Sequence, residues 1–146
     1  MTRGDTLAHV ADHYTVRRAP GVRQRLIEWA RRAGLPERTL AQRYLEEGLR
    51  HDAHPLIHFL DGPSGRGASL LGRGLDVWEV IATIRDNDGS LAQAAEHLRV
   101  STGLGEAAAA YYGEYTDEID KEIALNEAEY ERGRASALAA VRALRA

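Results

Sequence analysis

His13, Thr15 and Arg17 fall on one side of a segment whose intervening residues, Tyr14 and Val16, suit burial. This is the two-residue period of a half-buried strand, and it gives the outer face an imidazole, a hydroxyl and a guanidinium in a row. Such a row hydrogen-bonds a polar partner. Other chemistries fail on spacing. His51, His54 and His58 would share one helix face suited to a metal, but Pro55 disfavours helix at His54, which leaves solvated linker histidines and no metal site. Glycines at 62, 65, 67, 72 and 74 precede no Gly-Lys-Ser/Thr ending and complete no dinucleotide fingerprint, so they read as tight turns and close packing. Glu96 and His97 point apart on a helix, and no Ser, His and acid have a spacing that brings them together. Without cysteine there is no thiolate nucleophile, disulfide or thiolate zinc site. No catalytic residue and no cofactor is expected.

The elements that must position the polar row span residues 13 to 50. Val22, Leu26, Trp29, Ala30 and Ala33 recur at helical spacing, Gly34 stops that helix, Pro36 suits the first turn of a second, and Leu40, Tyr44, Leu45 and Leu49 mark its stripe. One strand and two helices in so short a stretch cannot stand alone, since the strand has no pairing partner and a chain below roughly 40 residues rarely buries enough apolar surface. A second copy supplies both. Two strands pair antiparallel across a two-fold axis, Tyr14, Val16, Trp29 and Leu45 enter a shared core, and the opposite ribbon face displays His13, Thr15 and Arg17 twice. Residues 1 to 12 read as a mobile arm and 51 to 55, closing on Pro55, as a linker.

This order resembles the ribbon-helix-helix repressors of the Arc, MetJ and CopG kind, whose strand pair enters the major groove of DNA. The resemblance implies an intertwined dimer on operator DNA, with His13, Thr15 and Arg17 reading bases and Arg38 and Thr39, at the start of the second helix, holding a phosphate. The side chains suit those roles: Arg forks onto the two acceptors of guanine, Thr offers a hydroxyl or meets a thymine methyl, and helix N-termini bind phosphate through free N–H groups. Two positions depart from the family pattern. Arg18 occupies a slot that is usually apolar and buried, and no Ser, Thr, Asp or Asn stands immediately before Pro36.

Residues 56 to 115 read as a second unit. Leu56 to Leu60 is a short strand, Asp61 to Gly65 a turn, and Ala68 to Leu71 a second apolar run. Three helices follow, marked by Val77, Val80, Ile81 and Ile84, by Leu91, Ala94, Ala95 and Leu98, and by Leu104, Ala107, Ala108 and Tyr111. Asn87-Asp88-Gly89 turns the chain, Ser90 with Gln93 forms a capping pattern, and Ser101-Thr102-Gly103 separates two short helices in a helix-turn-helix-like pair. Val100 through Asp120 contains no Lys or Arg, so this pair does not suit DNA.

The pattern His54-Pro55-Leu56-Ile57, Asp61-Gly62-Pro63, Gly65-Arg66, Leu75-Asp76-Val77-Trp78-Glu79-Val80-Ile81, Ala94-Ala95-Glu96-His97-Leu98 and Tyr111-Tyr112 through Glu118-Ile119-Asp120 resembles small domains found in VapB-type antitoxins. Leu71-Gly72-Arg73-Gly74-Leu75-Asp76-Val77 stands where the commoner family core reads Arg-Gly-Thr-Arg-Ile-Pro-Val, the mark of a divergent branch. The resemblance implies a protein toxin as partner, a PIN-like ribonuclease.

From Thr116 to the end, Ile119, Ile123, Tyr130, Ala137, Leu138, Val141 and Leu144 mark a long helix, residues 116 to 146. Eight acids against one Lys between Glu114 and Glu131 suit a segment that meets a basic partner, with Ile119, Ile123 and Tyr130 as toxin-binding residues. On that view a chain ended at Tyr115 keeps its fold and its DNA binding and loses only the toxin; if instead Ile119, Ile123 and Tyr130 pack on the helices at 77 to 115, the same cut unfolds the second unit.

The expected architecture is mainly α with short β: an intertwined ribbon-helix-helix dimer, then a small helix-turn-helix-like helical domain and a long C-terminal helix. Hydrophobic residues make up 44% of the 146 and charged residues 28%, a soluble balance without a membrane-length apolar run or a secretory core, so the cytoplasm is the default location. Net charge is −3, divided between ten Arg against seven acids in residues 1 to 52 and nine bases against fifteen acids thereafter. A basic front suits phosphate and an acidic back another partner. The function expected is that of a dimeric antitoxin that represses its own operon and neutralises a toxin. A toxin-independent ribbon-helix-helix regulator, its second domain a protein-interaction module, is the other reading.

Overall fold

A computed structural model describes residues 15 to 145, which form two compact units divided between Arg43 and Tyr44. Helix α2, Glu37–Ala53, contributes residues to both. His13, Tyr14 and the rest of the expected mobile arm lie outside the described residues.

In the first unit, Thr15 to Ala19 has no regular secondary structure, and α1 spans Val22–Ala33. Gly34 ends α1 at φ 64°, its N–H donating to the carbonyl of Arg31 while the N–H of Leu35 donates to that of Ala30 at 2.9 Å. This paired closure needs a left-handed residue, which glycine adopts without a Cβ penalty. Pro36, with no N–H to leave unsatisfied, accepts from Leu40 and starts α2. Among the described residues of this unit only Ala30 and Leu40 are buried.

In the second unit α2 runs on through Ala53, so His51, Asp52 and Ala53 are its last turn rather than part of a linker. A hairpin follows: β1 (Ile57–Gly62) pairs antiparallel with β2 (Gly65–Leu70), Ile57 opposite Leu70, Phe59 opposite Ala68 and Gly62 opposite Gly65. Pro63 and Ser64 make the turn, and Gly65 takes φ 115°. Because side chains alternate along a strand, Ile57, Phe59, Ala68 and Leu70 share one face, and that face joins the core.

Helix α3 (Val77–Asp86) starts at Asp76 with a reciprocal cap: the Asp76 side chain accepts from the backbone of Glu79, and the Asp76 N–H donates to the Glu79 carboxylate at 2.9 Å. Ser90 caps α4 (Leu91–Leu98) and Ser101 caps α5 (Thr102–Glu114), each hydroxyl accepting a backbone N–H three residues on. Gly105 lets these two helices approach closely, since a Cβ there would lie 3.2 Å from Leu91 Cδ2. Helix α6 spans Thr116–Ala143. Among the described residues the chain is mainly helical, with six helices, one antiparallel hairpin and a long C-terminal helix, but the strand expected from the alternation at 13 to 18 is not formed over Thr15 to Ala19, where a single chain offers no strand to pair with.

The core of the second unit gathers the hairpin face, Val77, Val80 and Ile81 of α3, Ala108 and Tyr111 of α5, and Ile119 and Ile123 of α6. Ile119 is 0% and Ile123 5% exposed, which corrects their expected place on a partner-binding stripe. Their side chains lie inside their own domain, where no partner reaches them. From Glu127 to Arg145, by contrast, every residue of the tail is exposed.

Candidate functional site

The residues expected to read DNA belong to the first unit. Thr15, Arg17, Arg38 and Thr39 are all exposed, and neither Arg17 nor Arg38 enters an ion pair among the described residues. Arg18 donates to Glu37 at 2.8 Å and Arg23 approaches the same carboxylate at 3.7 Å. The charge at position 18 therefore meets a carboxylate at the start of α2. That carboxylate also faces the free N–H groups of the first turn, a favourable place for negative charge. Arg18, Leu26, Glu37, Arg38 and Ala41 line an open cavity of about 450 Å³.

Cutting the chain at its structural division sharpens the charge separation. Residues 1 to 43 hold nine Arg against four acids, net +5, and residues 44 to 146 hold ten bases against eighteen acids, net −8. Apolar side chains are open as well. Val16 is 51% and Trp29 52% exposed, with the Arg32 guanidinium 5.0 Å from the Trp29 ring. Tyr44, Leu45 and Leu49, on the part of α2 that belongs to the second unit, are also exposed.

The second unit is held by polar clusters that sequence reasoning missed. Arg50 Nη1 donates to the Tyr111 hydroxyl at 2.7 Å and to both Glu118 oxygens at 2.9 and 2.8 Å, and Tyr111 donates to Glu118 at 3.0 Å. Burial, then the charge of Glu118, pushes the Tyr111 phenol well above its usual range and keeps it a donor. The Arg50 guanidinium lies 4.1 Å from the Tyr115 ring centroid, and Tyr115 stacks on Tyr111. Arg66 forks onto Glu47 at 2.5 and 2.8 Å, tying β2 to α2. Arg85 joins Asp120 and the Tyr112 hydroxyl, tying α3 to α5 and α6. These charges have their partners inside the domain, so the clusters act as braces.

The three histidines part company. His51 Nδ1 lies 2.8 Å from the Ile57 carbonyl, and His54 is buried edge-on to Tyr111 rather than solvated. His54 Nε2 is 3.3 Å from Glu114 without hydrogen-bond geometry. No group of three potential metal ligands occurs among the described residues.

One cavity, about 380 Å³, lies between the hairpin turn, the start of α3 and α6, with Asp61, Arg66, Asp76, Glu79, Glu122 and Asn126 in its lining. Gly67 packs closely there, since a Cβ would come 3.0 Å from Glu122 Oε1 and push that carboxylate aside. Glu122 Oε2 is buried without a hydrogen bond, and burial followed by the charges of Glu118 and Asp76 pushes its carboxyl up to about 7. A carboxyl that binds its proton more tightly folded than unfolded stabilises most below its ordinary value, and that contribution is lost as pH rises through about 7. Glu122→Gln is therefore expected to raise the melting temperature at about pH 8 and to change it little near pH 4.5, as scanning calorimetry at the two values would show.

Compared with protein-family models, curated proteins and solved structures, the chain matches none. No helix among the described residues is long and apolar enough to cross a membrane.

Proposed function

We propose that the chain is a dimeric DNA-binding repressor of antitoxin type, whose first unit pairs with a second copy as a ribbon-helix-helix on operator DNA. The observation that carries this is the first unit itself: net charge +5, two buried residues among those described, and Val16 and Trp29 left open. A second copy covers that apolar surface and doubles the positive charge presented to phosphate. In this reading His13, Thr15 and Arg17 meet base edges and Arg38 and Thr39 a phosphate, while Tyr14, Val16, Trp29 and Leu45 form the dimer core. The helix-turn-helix-like pair α4 and α5 stays off the DNA, because α5 carries no base.

The second unit, net −8, binds the partner, a basic protein such as a PIN-like ribonuclease toxin. With Ile119 and Ile123 in the core, the partner surface comprises exposed acids such as Glu114 and Asp117. That burial also favours a second reading, a toxin-independent regulator with the same DNA-binding unit. Co-expression with each adjacent reading frame, followed by co-purification, separates the two.

The DNA reading is tested by mobility shift on the chain's own promoter. Wild-type binding is expected to weaken steeply with salt, and Arg17→Ala to cost about 1 to 3 kcal/mol per subunit without changing the melting temperature. Unchanged affinity in Arg17→Ala sinks the ribbon as reader.

A further inference from the structure

The second half of α6 is exposed along its described length. From Glu127 onward it meets the domain through the Ser64 hydroxyl, which donates to Glu129 at 3.4 Å, yet a helix of this length standing alone in water is marginal. Tyr130, Leu138, Val141 and Leu144 are exposed, Leu144 at 87%. At about 100° per residue, Tyr130, Ala137, Val141 and Leu144 form one stripe, with Glu127, Glu131, Arg142 and Arg145 along a single edge of it. The charges on this half are segregated. Its three acids, Glu127, Glu129 and Glu131, precede its four bases, Arg132, Arg134, Arg142 and Arg145.

We propose that this half of α6 docks on the same half of a second copy, antiparallel, about a two-fold axis near Ser136. In an antiparallel pair like edges meet, so the acidic end of each stripe comes against the basic end of the other. Glu127 faces Arg145, Glu131 faces Arg142, and Tyr130 faces Val141, each pair to within a residue of symmetric placement about position 136. Ala137 stands nearest the axis, with Arg134 and Leu138 on the charged edge beside it and Gly133 and Ala140 on the opposite edge, where small side chains let two helices approach. Every contact is made twice, as a closed two-fold interface requires. A parallel pair would set acid against acid and Arg against Arg. The acids of each copy also neutralise the Arg-rich end of the other, which disfavours a uniformly acidic or basic partner on this stripe.

The inference does not rest on the DNA-binding reading, and sedimentation equilibrium of the full chain tests it apart from that reading. In a Trp29→Ala background, where any pairing through the first unit is removed, Val141→Glu is expected to halve the particle mass, from two copies to one. Val141 is exposed in the single chain, so the cooperative melt of the second unit stays unchanged, and any helical signal lost is confined to the unpaired end of α6. Glu127→Arg with Glu131→Arg is expected to lower the mass in the same way, as is Arg142→Glu with Arg145→Glu. All four substitutions together restore it, because the charges are exchanged end for end. A mass indifferent to Val141→Glu overturns the pairing, and failure of the fourfold variant to recover overturns its antiparallel sense.

Discussion

A chain ended at Tyr115 is expected to lose the cooperative fold of its second unit. The cut removes Ile119 and Ile123, two of the core residues, and buried Ile truncations cost about 2 to 5 kcal/mol each even when the helix around them remains. It also removes Glu118 and Asp120, leaving Arg50 and Arg85 without their carboxylates. Arg50 is part-buried, and such a cation deprived of its partner costs more than the pair contributed, whereas the exposed Arg85 pair contributes little. Against a total stability of about 5 to 15 kcal/mol, these losses leave nothing to hold the hairpin on α3 and α5. Of the two outcomes the sequence left open, a folded truncation that loses only a partner and an unfolded second unit, the burial of Ile119 and Ile123 selects the second. A chain ended at Asn126 keeps both isoleucines and both carboxylates and is expected to melt as cooperatively as the full chain. Circular dichroism melts of the two truncations decide the matter, and a sharp transition for the shorter one would show that α6 is dispensable to the core.

Trp29→Ala is expected to separate the first units of two copies and with them the binding of DNA. In the single chain the ring is 52% exposed, so removing it opens little cavity there. In a dimer that buries it, the same change costs about 3 to 5 kcal/mol, a fall in association of roughly a hundredfold or more. With only Ala30 and Leu40 buried among its described residues, a separated first unit has too little core to stay folded, so helical signal and association fall together. Wild-type protein should then show a first transition whose midpoint rises with concentration, and Trp29→Ala should lose that dependence. A wild-type midpoint that does not move with concentration would remove the second copy from the first unit.

Much of the local structure was legible in the sequence because it is decided by nearby atoms. Gly34 had to end α1 since its left-handed backbone suits glycine, and Pro36 had to open the next helix since it has no N–H to leave unsatisfied. Ser90 and Ser101 announced α4 and α5, and the short apolar run Leu56 to Leu60 announced a strand, found at Ile57–Gly62. The tertiary structure alone decided which apolar stripes are covered. Ile119 and Tyr130 look alike at helical spacing, yet one is fully buried and the other open, because the helix runs on past the edge of its own domain. It alone decided the domain of Arg50 and the fate of His54. Pro55 signalled a break after the helix but not that His54 would be buried against Tyr111, nor that Arg50 would find Glu118 across 68 positions of sequence. Periodicity fixes the face a residue occupies, while burial depends on what distant chain the fold lays across that face, and no local spacing encodes that.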